Sequence, residues 1–166
     1  MQVGQIGFFL LMAFTIPLAI WKGGAPERIG AATLLAMLAW KLLSTIIMPS
    51  YFVTVDPGSL ISDLLGLLGF GYLALQARRF WPLLATSLQL LSLSAHFARW
   101  ADIQIAPMVY AVMRYAPTFG VLIVLGAGTI AHMQRMRLHG CDPSWQNWSR
   151  VTARSNRSRT RFSKSL

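Results

Sequence analysis

Five long apolar segments dominate this chain of 166 residues and leave few options for its fold. They cover residues 6–21, 29–48, 58–77, 80–98 and 107–134, and short polar breaks separate them. A helix needs about 20 mostly apolar residues to cross the hydrocarbon core of a bilayer. These segments are continuous and rich in Leu and Ala, whereas a transmembrane β-barrel requires short alternating segments. We therefore predict an all-α bundle of five transmembrane helices within residues 1–134.

Charged residues are scarce and unevenly distributed along the chain. They make up 12% of it, compared with about 25% in a soluble domain. Of the 15 Lys and Arg residues, 8 follow residue 134, so the preceding segments do not form a soluble or nucleic-acid-binding domain. Basic residues concentrate on the cytoplasmic side of a membrane. With the C-terminus inside, 12 basic residues lie in cytoplasmic segments and 1, Arg99, lies outside. This count predicts an outside N-terminus and an inside C-terminus.

Residues 135–166 differ in composition from the apolar body, and we expect them to form a disordered, basic cytoplasmic tail. From Arg150 onward no apolar helical face exists, and Arg, Ser, Asn and Thr predominate. Basic side chains near a membrane are attracted to anionic lipid head groups. The residues expected at the lipid surface are Arg150, Arg154, Arg157, Arg159, Arg161 and Lys164. A tail that docks on an acidic protein or a nucleic acid, or that has no selected role, is a less favoured interpretation.

Four ionisable residues inside the predicted spans are candidates for a buried polar site, because insertion of each costs roughly 2.5–3.5 kcal/mol. They are Lys41, Asp63, His96 and Arg114. Helical rise places all four in the outer half of the membrane. Gln89, Ser92 and His96 recur at steps of three and four, so they share one helical face. We therefore predict a polar cluster in the outer half, formed by Lys41, Asp63, Gln89, Ser92, His96 and Arg114.

Two interpretations of this predicted cluster remain open. Its surplus of positive charge suits an anionic or zwitterionic ligand, and ionisable residues inside a membrane are functional candidates by default. Alternatively, Asp63 neutralises Lys41 or Arg114 in a structural pair, the two cations extend toward the interface, and His96 bonds a backbone carbonyl.

Small residues recur along one face of the third segment. Gly58, Ser62 and Gly66 are spaced by four, and Gly69 continues the face. Such a ridge lets two membrane helices approach closely. It packs either on a helix of the same chain or on a helix of a partner protein.

No catalytic motif, paired carboxylates, metal-ligand spacing or nucleotide-binding loop is visible, and we predict neither an enzyme nor a cofactor or metal site. The leading hypothesis is a non-enzymatic accessory or structural subunit of a membrane complex, with a membrane-protein partner or a homo-oligomer. The alternative is a carrier of a small solute or ion that uses the polar cluster. The short chain and the lack of a cleavable signal are typical of a bacterial inner-membrane protein.

Overall fold

The computed structural model describes residues 3–47, 57–101 and 107–140, together with Asp142 and Trp145. Regular structure within these residues is entirely helical, which confirms the predicted all-α class. The helices are α1 (Val3–Lys22), α2 (Ala25–Ile47), α3 (Pro57–Gln76), α4 (Trp81–Trp100) and α5 (Pro107–His139). One isolated backbone bridge links Ala77 to Trp145 and forms no strand.

Proline marks the start of every helix except α1. Pro57 and Pro107 are the first residues of α3 and α5, and Pro26 and Pro82 are the second residues of α2 and α4. Proline suits a first helical turn because the backbone donor that it lacks would have no partner there. The sequence therefore divides a nearly continuous apolar chain into separate helices.

The helices pack as a closed ring in chain order. Each helix contacts the next, α1 also packs on α5, and α2 touches α5 across the interior. All five contribute to one apolar core, with the largest buried side chains at Phe70, Leu73, Leu122 and Leu125. This arrangement places α4 between α3 and α5, so the polar face of α4 is directed at its neighbours.

Three segments are long and apolar enough to cross a membrane: α2, α3 and Ala116–His139 of α5. Such segments indicate a membrane-embedded protein. The shorter apolar helix Ile6–Lys22 lies within α1. The polar stripe containing Gln89, Ser92 and His96 lowers the mean hydropathy of α4 below that of the three spanning segments.

Helix α5 extends beyond its predicted end at residue 134. It continues to His139 and ends at Gly140, whose φ of 68° is a left-handed conformation that glycine adopts without penalty. The backbone N–H of Gly140 bonds the carbonyl of Met136. The turn brings Asp142 back against the bundle. The six basic residues expected at the lipid surface lie outside the described residues.

The small-residue ridge of α3 packs on α2 of the same chain. The carbonyl of Gly58 accepts a hydrogen bond from Trp40 Nε1 at 3.1 Å, and Ser62 Oγ donates to the carbonyl of Met37 at 3.3 Å. A Cβ atom at Gly66 would overlap Gln89 Nε2 of α4 and would lie 2.7 Å from Met37 Sδ of α2, and one at Gly69 would meet Thr33 Cγ2 of α2 at 2.5 Å. Within the described residues, this ridge therefore packs on α2 and, at Gly66, also on α4.

Substitution of Gly69 tests this close packing. Thr33 is β-branched and its hydroxyl is bonded to the carbonyl of Ile29, so it cannot easily move away from a new methyl group. We expect Gly69→Ala to lower the free energy of unfolding by about 1–3 kcal/mol, measured by thermal unfolding in a neutral detergent. The matched control is Gly71→Ala, because no atom lies within 4 Å of its Cβ position. Equal stability of the two variants would contradict the packing.

Candidate functional site

The Asp63 cluster consists of Asp63 on α3 and Ser92 and His96 on α4. Ser92 Oγ donates a hydrogen bond to Asp63 Oδ2 at 2.7 Å, and His96 Nε2 donates to the same oxygen at 3.1 Å. Ser92 and His96 are four residues apart, so their side chains lie one above the other and reach a common acceptor. Asp63, Ser92 and His96 are 7%, 0% and 3% exposed. The interpretation in which His96 bonds a backbone carbonyl at the interface was wrong.

Two acceptor atoms beside the Asp63 cluster are buried without a hydrogen-bond partner in the described part of the chain. They are His96 Nδ1 and Gln89 Oε1. A neutral histidine that donates through Nε2 has an acceptor at Nδ1. Buried acceptors of this kind are costly unless a hydrogen-bond donor reaches them. The two atoms are therefore open to a small hydrogen-bond donor.

The remaining predicted members flank this cluster. Gln89 is fully buried, and its Nε2 donates to Met37 Sδ of α2 at 3.3 Å. Lys41 of α2 donates from Nζ to Ser59 Oγ at 2.6 Å. Ser59 precedes Asp63 by one turn of α3. Arg114 lies in α5, but its side chain is outside the described residues. The structure thus brings Asp63, Ser92 and His96 into contact between α3 and α4, and it places Lys41 between α2 and α3 and Gln89 between α2 and α4.

A second buried polar group, which the sequence analysis did not anticipate, lies at the opposite end of the bundle. It joins the start of α2, the α3–α4 turn and the end of α5. We call it the Arg79 network; it consists of Glu27, Arg79, His132, Arg135 and Asp142.

Arg79 is the centre of this network. Its Nη1 donates to Asp142 Oδ1 at 2.6 Å, and its Nε lies 3.4 Å from Glu27 Oε1. The side chains of Arg79 and Glu27 are 5% and 0% exposed. A buried charge is tolerated only with a charged or hydrogen-bonding partner. Glu27 and Asp142 provide such partners, and each carboxylate contacts a different nitrogen of the guanidinium. Trp81 Nε1 adds a hydrogen bond to Glu27 Oε1 at 3.1 Å.

Asp142 closes the network from the chain segment after α5. Its Oδ2 accepts from His132 Nδ1 at 2.7 Å and from Arg135 Nε at 3.1 Å. Arg79 Nη2 also lies 3.5 Å from His132 Nδ1, but this contact joins two donors because Nδ1 donates to Asp142. Burial alone would raise the pKa of Asp142, but hydrogen bonds from His132, Arg79 and Arg135 outweigh burial and lower the pKa.

Trp81 is buried where α3, α4 and α5 meet. It is 6% exposed, and its ring meets Phe70 edge-on with 6.4 Å between ring centroids. The indole lies directly over Gly128, where a Cβ atom would meet Trp81 Cδ1 at 2.5 Å. Gly128 therefore allows α4 and α5 to approach and lets the indole N–H reach Glu27.

Two signals in the sequence could have pointed to the Arg79 network. The chain contains only 5 acidic residues, and Glu27 and Asp142 both flank apolar segments beside basic residues. In a chain so poor in acids, these carboxylates are the available partners for a buried arginine. Their separation along the sequence leaves no local spacing that would identify the pair.

Neither the Asp63 cluster nor the Arg79 network has the set of side chains that a metal site needs. No group of three His, Cys, Asp or Glu side chains able to hold a metal ion occurs among the described residues. Comparison with known proteins gives no match to a family model, a curated protein or a solved structure.

Removal of Arg79 tests the network against a neighbouring residue of the same charge. Arg79→Gln leaves Glu27 buried without its cation, and breaking a buried pair in this way costs roughly 3–5 kcal/mol. Arg78 is exposed and has no hydrogen bond or ion pair among the described residues. We expect Arg78→Gln to change the free energy of unfolding by less than about 0.5 kcal/mol. Thermal unfolding in neutral detergent compares the two, and equal losses would contradict a specific role for Arg79.

The lowered pKa of Asp142 predicts a pH dependence of stability. A carboxyl group whose pKa is lower in the folded state stabilises that state when ionised, fully so above the pKa of the unfolded chain. The contribution is lost as the pH falls through the lowered folded value. We expect the melting temperature of the wild type to exceed that of Asp142→Asn at neutral pH. The difference should shrink under acid conditions, and a difference that is independent of pH would contradict the ion pairing.

Proposed function

We propose that the chain is a five-span protein of a bacterial inner membrane and that it serves as a non-enzymatic accessory or structural subunit. The ring supports five spans, because α4 packs between α3 and α5, and α1 packs on both α2 and α5. If α2, α3 and α5 cross the bilayer, their neighbours α1 and α4 lie at the same depth. The outward faces of both are apolar, with Phe9, Leu10 and Phe14 exposed on α1 and Leu90 and Leu91 exposed on α4.

Charge at one end of the bundle supports an inside C-terminus. Lys22, Arg28, Arg78 and Arg137 are exposed there at the ends of four different helices. Such an excess of basic residues is typical of the cytoplasmic face. Trp21 is 80% exposed at the same end, and Lys22 Nζ lies 5.7 Å from its ring centroid, an arrangement suited to the membrane interface.

The observation that carries the subunit proposal is the internal pairing of buried polar side chains. Ser92 and His96 both bond Asp63, and Glu27 and Asp142 both contact Arg79. Polar groups that bind each other hold helices in fixed positions, as expected of a structural protein. Because α2 covers the small-residue ridge, a partner protein would contact the apolar outward faces instead.

Native mass spectrometry of the full chain, purified from its own membrane in a mild detergent, tests this proposal. We expect a second protein at a fixed stoichiometry, or a homo-oligomer with a defined number of copies. A single chain that carries only a small bound solute would contradict a subunit role.

The alternative is a carrier for a proton, an ion or a small solute. The unpartnered His96 Nδ1 and Gln89 Oε1 atoms favour it, because they leave buried acceptor capacity beside an ionisable pair.

A double-mutant cycle of Asp63→Leu and His96→Leu separates the two functions. If each single variant is unstable and the double variant recovers, the pair is structural. If the double variant folds as well as the wild type but loses a bound solute or proton uptake, the pair is a binding site. Ser94→Ala is the control, because Ser94 is exposed on α4 and bonds only the carbonyl of Leu91.

A further inference from the structure

An open groove runs along the outside of the bundle between the first turns of α4 and the second half of α5. It has a volume of about 310 Å³. Phe80, Trp81 and Leu84 form the α4 side, and Val124, Ala127, Gly128 and Ala131 form the α5 side. Arg78, Arg79 and Arg135 line one end. We call this feature the α4–α5 groove.

The groove results from the small residues on α5. Gly128 has no side chain, so the Trp81 indole packs directly on it. The indole Nε1 donates a hydrogen bond to Glu27, and this bond fixes the ring. Ala127 and Ala131 lie one turn apart and present only methyl groups beside it. The space between Leu84 and Val124 is therefore left unfilled by the described residues, and its walls are apolar.

The three guanidinium groups at the basic end of the groove differ in how far the fold engages them. The Arg79 side chain is buried and forms ion pairs with Glu27 and Asp142. In contrast, Arg78 is exposed and has no hydrogen bond or ion pair within the described residues. Arg135 contacts Asp142 through Nε alone, and its side chain is 39% exposed. Planar arginine donors such as these favour phosphate oxygens.

The dimensions of the groove agree with one leaflet of a bilayer. From Val124 to Arg135, at about 1.5 Å of rise per residue, α5 advances roughly 16 Å. Half of a hydrocarbon core that is about 30 Å thick is roughly 15 Å. A ligand that extends along the groove from its basic end would therefore reach about the middle of the membrane.

We propose that the α4–α5 groove binds one molecule of anionic phospholipid. The phosphate lies between Arg78 and Arg135, and one acyl chain follows Leu84, Val124 and Ala127. A basic pocket between membrane helices at the cytoplasmic face is suited to an acidic head group. This site is separate from the tail residues expected at the lipid surface, and it does not depend on the proposed subunit role.

Native mass spectrometry of the delipidated full chain tests the proposal. The chain is titrated in a neutral detergent with dioleoyl phosphatidylglycerol, or with dioleoyl phosphatidylcholine, which has the same acyl chains but no net charge. We expect one molecule of the anionic lipid to be retained in preference to the neutral lipid. Inorganic phosphate should not compete at equal concentration, because it lacks the acyl chain. Equal retention of the two lipids, or displacement by phosphate, would overturn the proposal.

Variants locate the lipid on the groove. We expect Arg78→Gln and Arg135→Gln each to reduce retention of the anionic lipid by roughly five-fold. The controls of equal charge are Arg28→Gln and Arg137→Gln, which are exposed at the same end but do not line the groove. Because Arg135 also bonds Asp142, the Arg78→Gln variant alone decides the result if Arg135→Gln is unstable. Equal losses in the control variants would show nonspecific attraction and overturn the site.

The apolar part of the groove is tested by filling it. Ala127→Phe places a ring in the path of the acyl chain, and we expect it to abolish retention of the lipid without unfolding the protein. Ala36→Phe is the control, because Ala36 is exposed on α2 away from the groove. Unchanged retention by a folded Ala127→Phe variant would overturn the proposal.

Discussion

A lipid environment supplies no hydrogen bonds, so every polar side chain inside a membrane bundle needs a partner from the chain or from trapped water. This requirement determines how α3 and α4 meet. Asp63 on α3 accepts from both Ser92 and His96 on α4, and these contacts fix the helices relative to each other in rotation and in height. The apolar core tolerates many arrangements of Leu and Ala, whereas these hydrogen bonds form in only one.

The same requirement acts at the other end through charge. Arg79 follows α3 directly, and its contacts with Glu27 and Asp142 join the α3–α4 turn to the start of α2 and to the segment after α5. Gly140 supports this arrangement, because its left-handed conformation reverses the chain after a helix of 33 residues. Gly128 supports it as well by giving room to the Trp81 indole that donates to Glu27. Two backbone features thus serve one buried ion-pair network.

The sequence predicted what depends on local pattern. Apolar length and proline positions located the helices, and steps of three and four placed Ser92 and His96 on one face of α4. Complementary chemistry then suggested Asp63 as a nearby member of the cluster. The Arg79 network was not predicted, because Glu27, Arg79 and Asp142 are far apart along the chain and meet only after the ring closes. The burial of Trp81 was not predicted either, because nothing near it in the sequence indicates the glycine on α5 that accommodates its indole.

The adjacent arginines at positions 78 and 79 show why counting charges does not suffice to describe such a protein. Both count equally toward orientation under the positive-inside rule. Arg79 turns into the bundle, where its charge is neutralised by two carboxylates and its contribution is to stability. Arg78 is exposed at the end of an apolar groove, and no described residue bonds it or neutralises its charge. A buried arginine needs acids from the protein, whereas an exposed arginine beside an apolar groove suits the acidic head group that we propose for this site.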